Sequence, residues 1–384
     1  MRSIFLILLS GFGAFLLFAW VLSTHQDSQS RRSSHILSET WQGYKSYFIE
    51  SDGRVLRFPE QDTTSEGQAN AMLRAVVMGD RPAFDNLLRW TEDNLSRQEK
   101  FGDHLLSWHY IDGSVRDGMP ATDADIDYAM ALVLASQQWK NDSYADMAGR
   151  SLKDILNILT VVFKYHRYLL PWIIDSPSSL DKIPQNLSYY SPAYFKSFYA
   201  FDHDPRWLEL VNTSYILSAQ AQKSFNGVAG VGLVPDWVSV DRSGNLSSYD
   251  GKSGNFAWEA VRVPFRIGID EFFNRDPRAL DILEKFSNFF EGELKNRGKL
   301  MSEYSYDGKP LKDTQESPLM YAVAYVTFEL TDNHDLAAQA ITKLRASIHR
   351  GFKGAYYQNP REYYVNSIVW VTELLNQEET YDQR

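Results

Sequence analysis

The sequence predicts an all-helical fold, and three observations support the prediction. Apolar residues recur at positions i, i+3, i+4 and i+7 along much of the chain, whereas alternating strand patterns are scarce. No Pro/Gly/Ser-rich linker interrupts the sequence after residue 35. We therefore expect one domain over residues 35–384, built from about ten to twelve helices.

The apolar stripes place these helices along the chain. They cover residues 72–79, 84–95, 126–134, 152–159, 207–211, 280–286, 336–348 and 365–375. Aromatic residues, Gly and Pro dominate three of the intervening segments, at 99–120, 170–205 and 225–258. We expect these segments to be loops that carry the chemistry.

The N-terminus is apolar. Residues 4–22 (IFLILLSGFGAFLLFAWVL) follow Arg2 and carry no charge, and a helix of this length could cross a bilayer. We expect an uncleaved signal-anchor or a cleaved signal peptide over residues 1–23, then a polar tether over residues 24–34. Arg2 favours a cytoplasmic N-terminus, which would place the body outside the cytoplasm, membrane-attached or secreted.

Composition excludes several classes of function. The net charge of −10 and the lack of a basic cluster argue against a nucleic-acid partner. There is no Cys, the eight His are scattered, and no Gly-rich phosphate loop appears, so we expect neither a metal nor another cofactor. Aromatic residues reach 14%, which fits either a sugar-stacking cleft or a large aromatic core.

Three segments could carry chemistry, and each has a structural alternative. Residues 64–68 (TSEGQ) contain Glu66, which could also form a capping box with Thr63. Residues 121–127 (ATDADID) hold three Asp, which could also stabilise the positive end of a helix dipole. Residues 258–266 (WEAVRVPFR) place Glu259 and Arg262 in an apolar run, where they could form a buried ion pair.

Together these segments resemble glycoside hydrolase family 8. Residues 65–68 (SEGQ) match its Ser-Glu-Gly-(Gln/Met) turn, and residues 121–131 (ATDADIDYAMA) match its signature except that Tyr128 stands at an Ile/Met position. Residues 187–207 (LSYYSPAYFKSFYAFDHDPRW) resemble an aromatic Pro-x-Tyr loop with its helix, and residues 232–237 (GLVPDW) match a further family loop. The resemblance covers roughly residues 40–375.

The resemblance implies an (α/α)6 barrel and inverting hydrolysis of a β-1,4-linked polysaccharide such as cellulose, xylan or chitosan. It assigns the catalytic acid to Glu66 and the carboxylate that holds and distorts the sugar to Asp123. Trp108 resembles a sugar-stacking residue, whereas we expect Trp139 in the core. The further substrate-binding residues that it implies are Tyr189, Tyr190 and Arg262.

The catalytic base is where the sequence departs from the family. The largest branch has Asp in a Tyr-Asp-Ala-x-Arg-x-Pro-x-Arg segment, and Trp258 and Glu259 stand at the Tyr and Asp positions. The match of the following residues makes Glu259 the expected base, although its side chain is longer by about 1.5 Å. Asp236 and Asp250 are the alternatives.

These observations predict a monomeric, endo-acting polysaccharide hydrolase held at the membrane by its N-terminal segment. Such a location fits the trimming of a secreted exopolysaccharide. Two other functions remain open: a catalytically impaired polysaccharide-binding or secretion protein, which the altered base favours, and a polysaccharide lyase. Acidic side chains in the expected cleft disfavour a lyase, whose substrates are uronic acids.

Overall fold

The structure is a computed structural model that describes residues 28–382. One continuous domain was expected, but contacts divide the described chain into two compact units. We call residues 28–160 with 347–382 the terminal unit and residues 161–346 the central unit. The predicted signal or anchor segment, residues 1–23, lies outside the described residues. Within residues 28–382, no helix is long and apolar enough to cross a membrane.

Helices make up most of the terminal unit. They are α1 (Ser28–Phe48), α2 (Ser65–Val77), α3 (Arg81–Leu95), α4 (Gln98–Phe101), α5 (Thr122–Gln138), α6 (Asp142–Ile158), α13 (Tyr363–Ile368) and α14 (Trp370–Asp382). Helix α2 packs against α3 and α5, α5 against α6, and α1 against α14. The apolar stripes predicted at 72–79, 84–95, 126–134 and 152–159 provide these buried faces.

Helix α1 includes residues 28–34, which were expected to belong to the polar tether. Ser33 is buried and donates a hydrogen bond to Asn376 Oδ1 at 2.8 Å. Polar residues made this segment look solvent-exposed in the sequence. A serine can nevertheless be buried when its hydroxyl has a hydrogen-bond partner, as Ser33 has. The tether boundary at residue 34 is therefore corrected: the helix is already packed on the unit at Ser33.

Two small sheets complete the terminal unit. Strands β1 (Thr63–Thr64), β2 (His109–Ile111) and β3 (Ser114–Asp117) form an antiparallel sheet in that order. Strands β11 (Ile348–Gly351) and β12 (Gly354–Tyr357) form a hairpin that packs on α1. A Cβ at Gly43 would stand only 1.9 Å from the carbonyl oxygen of Ala355, so this close contact requires glycine in α1.

The central unit alternates helices with short strands. Its helices are α7 (Pro192–Asp202), α8 (Arg206–Lys223), α9 (Arg262–Asn274), α10 (Pro277–Arg297), α11 (Pro318–Leu330) and α12 (His334–Ala346). Its strands are β4 (Thr160–Phe163), β5 (His166–Leu169), β6 (Lys182–Gln185), β7 (Ser224–Phe225), β8 (Val228–Ala229), β9 (Val238–Asp241) and β10 (Leu246–Ser247). Strand β9 lies between β6 and β10, and Gln185 is opposite Val238. Helices α9, α10 and α11 pack against one another.

The mostly helical prediction is confirmed, and its errors have physical causes. Helix α11 was missed because residues 318–328 are buried on all sides, which leaves no amphipathic period. Helix α7 lies inside the segment 170–205 that was expected to be a loop. The three expected loops also contain short strands, whose two to four residues are too few to show alternation.

Candidate active site

Glu66 lies in the first turn of α2, directly after strand β1. Thr64 is the N-cap of this helix: its backbone is extended, and its Oγ1 accepts a hydrogen bond from Gly67 N at 3.2 Å. Thr63 still belongs to the strand and donates to the carbonyl oxygen of Val55 at 2.8 Å. The capping box between Thr63 and Glu66 is therefore wrong, which removes the structural explanation offered for this glutamate.

Two buried tyrosines surround Glu66. Burial raises the pKa of Tyr44 to about 12 and the pKa of Tyr363 well above its usual value, and the charge of Glu66 adds to both shifts. A Cβ at Gly67 would stand 2.2 Å from the hydroxyl of Tyr363, so glycine leaves room for this phenol against the first turn of α2. Both phenols therefore stay protonated near neutral pH.

Trp108 is fixed beside the start of α2. Its carbonyl oxygen accepts a hydrogen bond from Ser65 N at 2.9 Å, which places Trp108 next to Glu66 along the β1–β2 pairing. The indole donates a hydrogen bond to Asp117, and its ring stacks on the ring of His109 at 4.7 Å. Trp108 is half-exposed, so it is a rigid aromatic surface that remains accessible.

His109 is itself held by a hydrogen bond to Asp62. Its Nε2 lies 2.8 Å from Asp62 Oδ2, and Arg57 Nε donates to Asp62 Oδ1 at 2.8 Å. Burial by itself would raise the pKa of Asp62, but the hydrogen bonds from Arg57 and His109 outweigh it and lower that pKa. This chain of three residues supports the ring on which Trp108 stacks.

The three aspartates of α5 are all buried. Asp123 and Asp125 lie in the first turn, as the helix-dipole explanation requires, but that effect does not need a buried carboxylate. Asp125 has no exposed surface, and its Oδ1 accepts a hydrogen bond from Leu106 N at 2.8 Å. Burial raises its pKa well above the usual range. Asp125 thus ties the segment that leads to Trp108 onto α5.

Glu259 lies in the turn that precedes α9, in the central unit. Its Oε2 accepts hydrogen bonds from Asn186 Nδ2 at 2.9 Å and from Ser188 Oγ at 3.5 Å, and it pairs with the guanidinium of Arg262. The ion pair of the structural alternative is therefore present, but its Glu259 side is only half-buried. All these donors reach one oxygen, and within the described residues Oε1 accepts no hydrogen bond. The side chain is 31% exposed, so Oε1 can bind a water.

Asp236 and Asp250, the alternative bases, have very different surroundings. Asp236 is buried, and its Oδ1 accepts hydrogen bonds from three backbone amides, those of residues 257, 259 and 260, at 2.8–3.2 Å. Burial raises its pKa to about 6. Asp250 is exposed at a turn. Neither arrangement resembles that of Glu259, whose one carboxylate oxygen is held while the other is open.

The remaining predicted binding residues separate into two groups. Arg262 is almost fully buried, with its guanidinium 5.7 Å from the ring centre of Tyr189. Tyr190 is also buried, and its hydroxyl accepts from Leu169 N at 2.9 Å and donates to Gln185 Oε1 at 2.5 Å. These partners place Tyr190 in the core, which corrects the expectation that it binds substrate. Trp139 was expected in the core; it packs against Phe84 but is only half-buried, so it lies at the edge of the core.

Two further features of the central unit have no counterpart in the residues predicted from the sequence. Asn186 and Ser188 contact Glu259 from more than 70 residues away in the chain, and no local pattern indicates such a pairing. Three rings also cluster near Tyr189, with centres 5.7–6.3 Å apart. They are Trp172, Trp237 and Tyr249. The high aromatic content was the signal for this cluster, but it could not give the positions.

The predicted site residues thus form two sets, one in each unit. In the terminal unit, the backbone of Trp108 is hydrogen-bonded to Ser65, the residue before Glu66, and Asp123 lies on α5, which packs against α2. In the central unit, Glu259, Arg262 and Tyr189 lie together. No group of three or more His, Asp or Glu within residues 28–382 is placed to hold a metal ion.

Comparison with protein families gives one match. The model of glycosyl hydrolases family 8 matches residues 12–302. Endoglucanase A of Acetivibrio thermocellus is 28% identical over 313 residues, which cover 78% of this chain and 61% of that protein. Two further endoglucanases from Ruminiclostridium species match over 65% of their length. The chain thus spans less than two thirds of the length of these relatives.

Solved structures show the same fold. An endo-β-1,4-glucanase from Acetobacter xylinum superposes with a TM-score of 0.72 and 23% identity over 90% of this chain and 99% of that one. A β-1,3-1,4-glucanase from Paenibacillus sp. X4 gives a TM-score of 0.77 and 21% identity over 92% of this chain and 94% of that one. The neighbours are (α/α)6 barrels, so the likeness supports the fold class that the sequence predicts.

Proposed function

Because this chain belongs to glycosyl hydrolases family 8, we propose that it is an endo-acting, inverting hydrolase of β-1,4-linked glucan. The names of its relatives support the substrate class, since they are endoglucanases, an endo-β-1,4-glucanase and a β-1,3-1,4-glucanase. The two glutamates provide the chemistry: Glu66 is the acid that protonates the leaving oxygen, and Glu259 is the base that activates water.

The arrangement of Glu259 carries this proposal. A general base must keep one oxygen available to a water while the rest of the carboxylate is fixed. Asn186 and Arg262 hold Oε2, whereas Oε1 accepts no hydrogen bond from the described chain. A glutamate at this position can therefore serve as the base, although the largest branch of the family uses aspartate.

The surroundings of Glu66 support its role as the acid. The side chain is half-buried, and the two protonated phenols nearby, Tyr44 and Tyr363, do not titrate near neutral pH. Trp108 lies beside it as a fixed, half-exposed ring on which a pyranose face can stack. Asp123, buried at the start of α5, is proposed to hold the distorted sugar at the cleavage point.

The location is a separate part of the proposal. Residues 4–22 are uncharged and long enough to cross a bilayer, and they lie outside the described residues. We infer that they anchor the chain, or export it and are removed, so that the enzyme acts outside the cytoplasm as a monomer. Its substrate there would be an exopolysaccharide of the same cell.

An activity screen tests the proposal. The full chain is assayed on β-1,4-glucan, mixed-linkage glucan, xylan and chitosan, and viscosity is compared with the release of reducing ends. Early loss of viscosity on a glucan is expected, since internal cleavage shortens chains fastest. Glu66→Gln should lower the rate about 10²–10⁴-fold, because the isosteric amide cannot donate the proton.

The control for this variant is Glu99→Gln, a change at an exposed glutamate of α4, which should behave as the parent. Glu66→Gln should still bind cello-oligosaccharides in calorimetry. A parent protein that binds these oligosaccharides but cleaves none of the four polymers would instead support the catalytically impaired binding protein. Products with unsaturated, ultraviolet-absorbing ends would identify a lyase.

A further inference from the structure

Asp236 is a buried carboxylate that lies against the turn carrying Glu259, and its side chain contacts the backbone of that turn. Its Oδ1 accepts hydrogen bonds from Ala257 N at 3.2 Å, Glu259 N at 3.1 Å and Ala260 N at 2.8 Å. These amides belong to the turn before α9, and one of them is the amide of Glu259 itself. One oxygen atom therefore fixes the backbone on both sides of the Cα of Glu259.

Two further backbone hydrogen bonds lie within the turn itself. Val261 N donates to the carbonyl oxygen of Ala257 at 3.0 Å, and Arg262 N donates to that of Glu259 at 3.1 Å, which are contacts within the turn. The backbone of Asp236 is also fixed, because its own amide donates to the carbonyl oxygen of Asn255 at 2.7 Å. The carboxylate thus links the turn to a fixed segment just before β9.

We propose that Asp236 is a positioning residue, whose Oδ1 sets the backbone of the 257–260 turn and thereby the place of the Glu259 carboxylate. The proposal rests on the proposed role of Glu259 as the base. It assigns Asp236 no proton transfer and no contact with substrate. Asn186 fixes the far end of the Glu259 side chain through Oε2, and Asp236 fixes the near end through the backbone.

What the turn needs from Asp236 is an oxygen in one place, and not a negative charge. An asparagine at 236 would present its carbonyl oxygen to the same three amides, and its amide group could donate to Ser253, the other side-chain partner of Asp236. Burial already disfavours the charge, as the pKa of about 6 indicates, so a neutral side chain should be tolerated. A glutamate would keep the charge but carry the oxygen about 1.5 Å further into the turn.

The order of two variants therefore tests the proposal. Asp236→Asn should keep about a third or more of the parental kcat, whereas Asp236→Glu should lower kcat about tenfold or more. The KM for a cello-oligosaccharide should stay within about threefold in both, because a misplaced base affects the transition state more than substrate binding. Asp281→Asn, a change at an exposed carboxylate of α10, is the matched control and should behave as the parent.

Hydrogen exchange gives a second readout that does not depend on turnover. Amides in the peptide around residues 257–260 should stay protected in Asp236→Asn and exchange faster in Asp236→Glu. Equal or higher kcat in Asp236→Glu than in Asp236→Asn would overturn the proposal and indicate that the charge itself matters. Parental kcat in both variants, or failure of Asp236→Asn to fold, would also overturn it.

Glu259→Gln, assayed in parallel, separates this inference from the proposed function. If Glu259→Gln stays active, Glu259 is not the base, and the proposed function fails whatever the order of the Asp236 variants. If Glu259→Gln is inactive and Asp236→Asn is active, both proposals stand. If both are inactive although folded, the positioning role of Asp236 is wrong.

Discussion

The length of the side chain at position 259 is the residue-scale question that matters most. Glu259 reaches Asn186, Ser188 and Arg262 through a single oxygen. An aspartate would draw the carboxylate back by about 1.5 Å and out of reach of these donors unless the backbone followed. The turn cannot follow freely, because its amides are bound to Asp236. The positions of Asn186, Ser188 and Arg262 therefore match the length of a glutamate at position 259.

Restoring the aspartate of the largest family branch should accordingly not improve the enzyme. Glu259→Asp should lower kcat about tenfold or more with little change in KM, and Glu259→Gln should lower it about 10²–10⁴-fold. Both constants are measured on a defined cello-oligosaccharide, with Glu284→Gln, an exposed position of α10, as the control. A kcat of Glu259→Asp above that of the parent would show that the surrounding donors do not require the longer side chain.

Asp123 gives a second prediction at this scale. A carboxylate that holds a distorted sugar acts mainly in the transition state, so Asp123→Asn should lower kcat more than it raises KM. The isosteric amide keeps the packing of this nearly fully buried position, and the melting temperature should change little. If the melting temperature falls sharply while kcat per folded molecule is kept, Asp123 is structural.

Glu66 and Asp123 could be proposed as site residues from the sequence because each belongs to a short, local motif, and both assignments stay predictions. The contacts of Asn186 and Ser188 with Glu259 could not, because these residues are 73 and 71 positions away along the chain and only the packed structure brings them near. The capping box was wrong by one residue. Thr63 pairs with Tyr110 in strand β1, and Thr64 is the N-cap of helix α2. Tyr190 was misassigned because its neighbourhood resembles a binding loop, whereas its hydroxyl is used by Gln185 and Leu169.

At the scale of elements, helix α5 and the segment leading to Trp108 are joined by one buried carboxyl group. Asp125 accepts a hydrogen bond from Leu106 N, and within the described chain its other oxygen has no partner. Its raised pKa means that the folded protein binds a proton which the unfolded chain releases above about pH 4. Asp125 therefore makes the folded state lose stability as the pH rises from this point to the folded-state pKa.

Asp125→Asn should remove this dependence, since the amide keeps an oxygen for Leu106 and cannot titrate. Measured between pH 4 and pH 7.5, the melting temperature of the variant relative to the parent should rise as the pH increases above about 4, up to the folded-state pKa of Asp125. For a domain of 150–250 residues, each kcal/mol moves the melting temperature by about 2–4 °C. Asp146→Asn, an exposed position of α6, should show no such trend. A constant difference across this range would mean that Asp125 is ionised in the folded protein.

Helices were predictable as elements where one face is buried, as in α3 and α6, and not where burial is complete, as in α11. The β1–β2–β3 sheet joins residues 63–64 to 109–117, and its strands are too short to be recognised before they are paired. That sheet places Trp108 beside Glu66. The arrangement of the candidate site therefore depends on the elements that sequence predicts least well.

At the scale of the whole molecule, the N-terminal segment decides where the enzyme works. If residues 4–22 form an uncleaved anchor, the full chain should sediment with membranes and be released by detergent but not by high salt. A chain lacking residues 2–23 should remain in the aqueous fraction and keep its activity. If the segment is instead a cleaved signal, the mature N-terminus should lie near residue 24, and the enzyme should be found outside the cell without detergent.

The stereochemistry of the product tests the whole catalytic arrangement at once. In an inverting enzyme the water attacks the face opposite the leaving group, and the two carboxyl groups stand about 6.5–9.5 Å apart to make room for it. Cleavage of a β-1,4-linked oligosaccharide should then release the α-anomer first, before mutarotation. Early NMR spectra of a cellopentaose digest can distinguish the anomers by the signal of the C1 proton.

A β-anomer would mean retention, which requires the second carboxylate to approach within about 5–5.5 Å and attack the sugar itself. Glu259 would then be a nucleophile, and the open Oε1 would be the atom that forms the covalent bond.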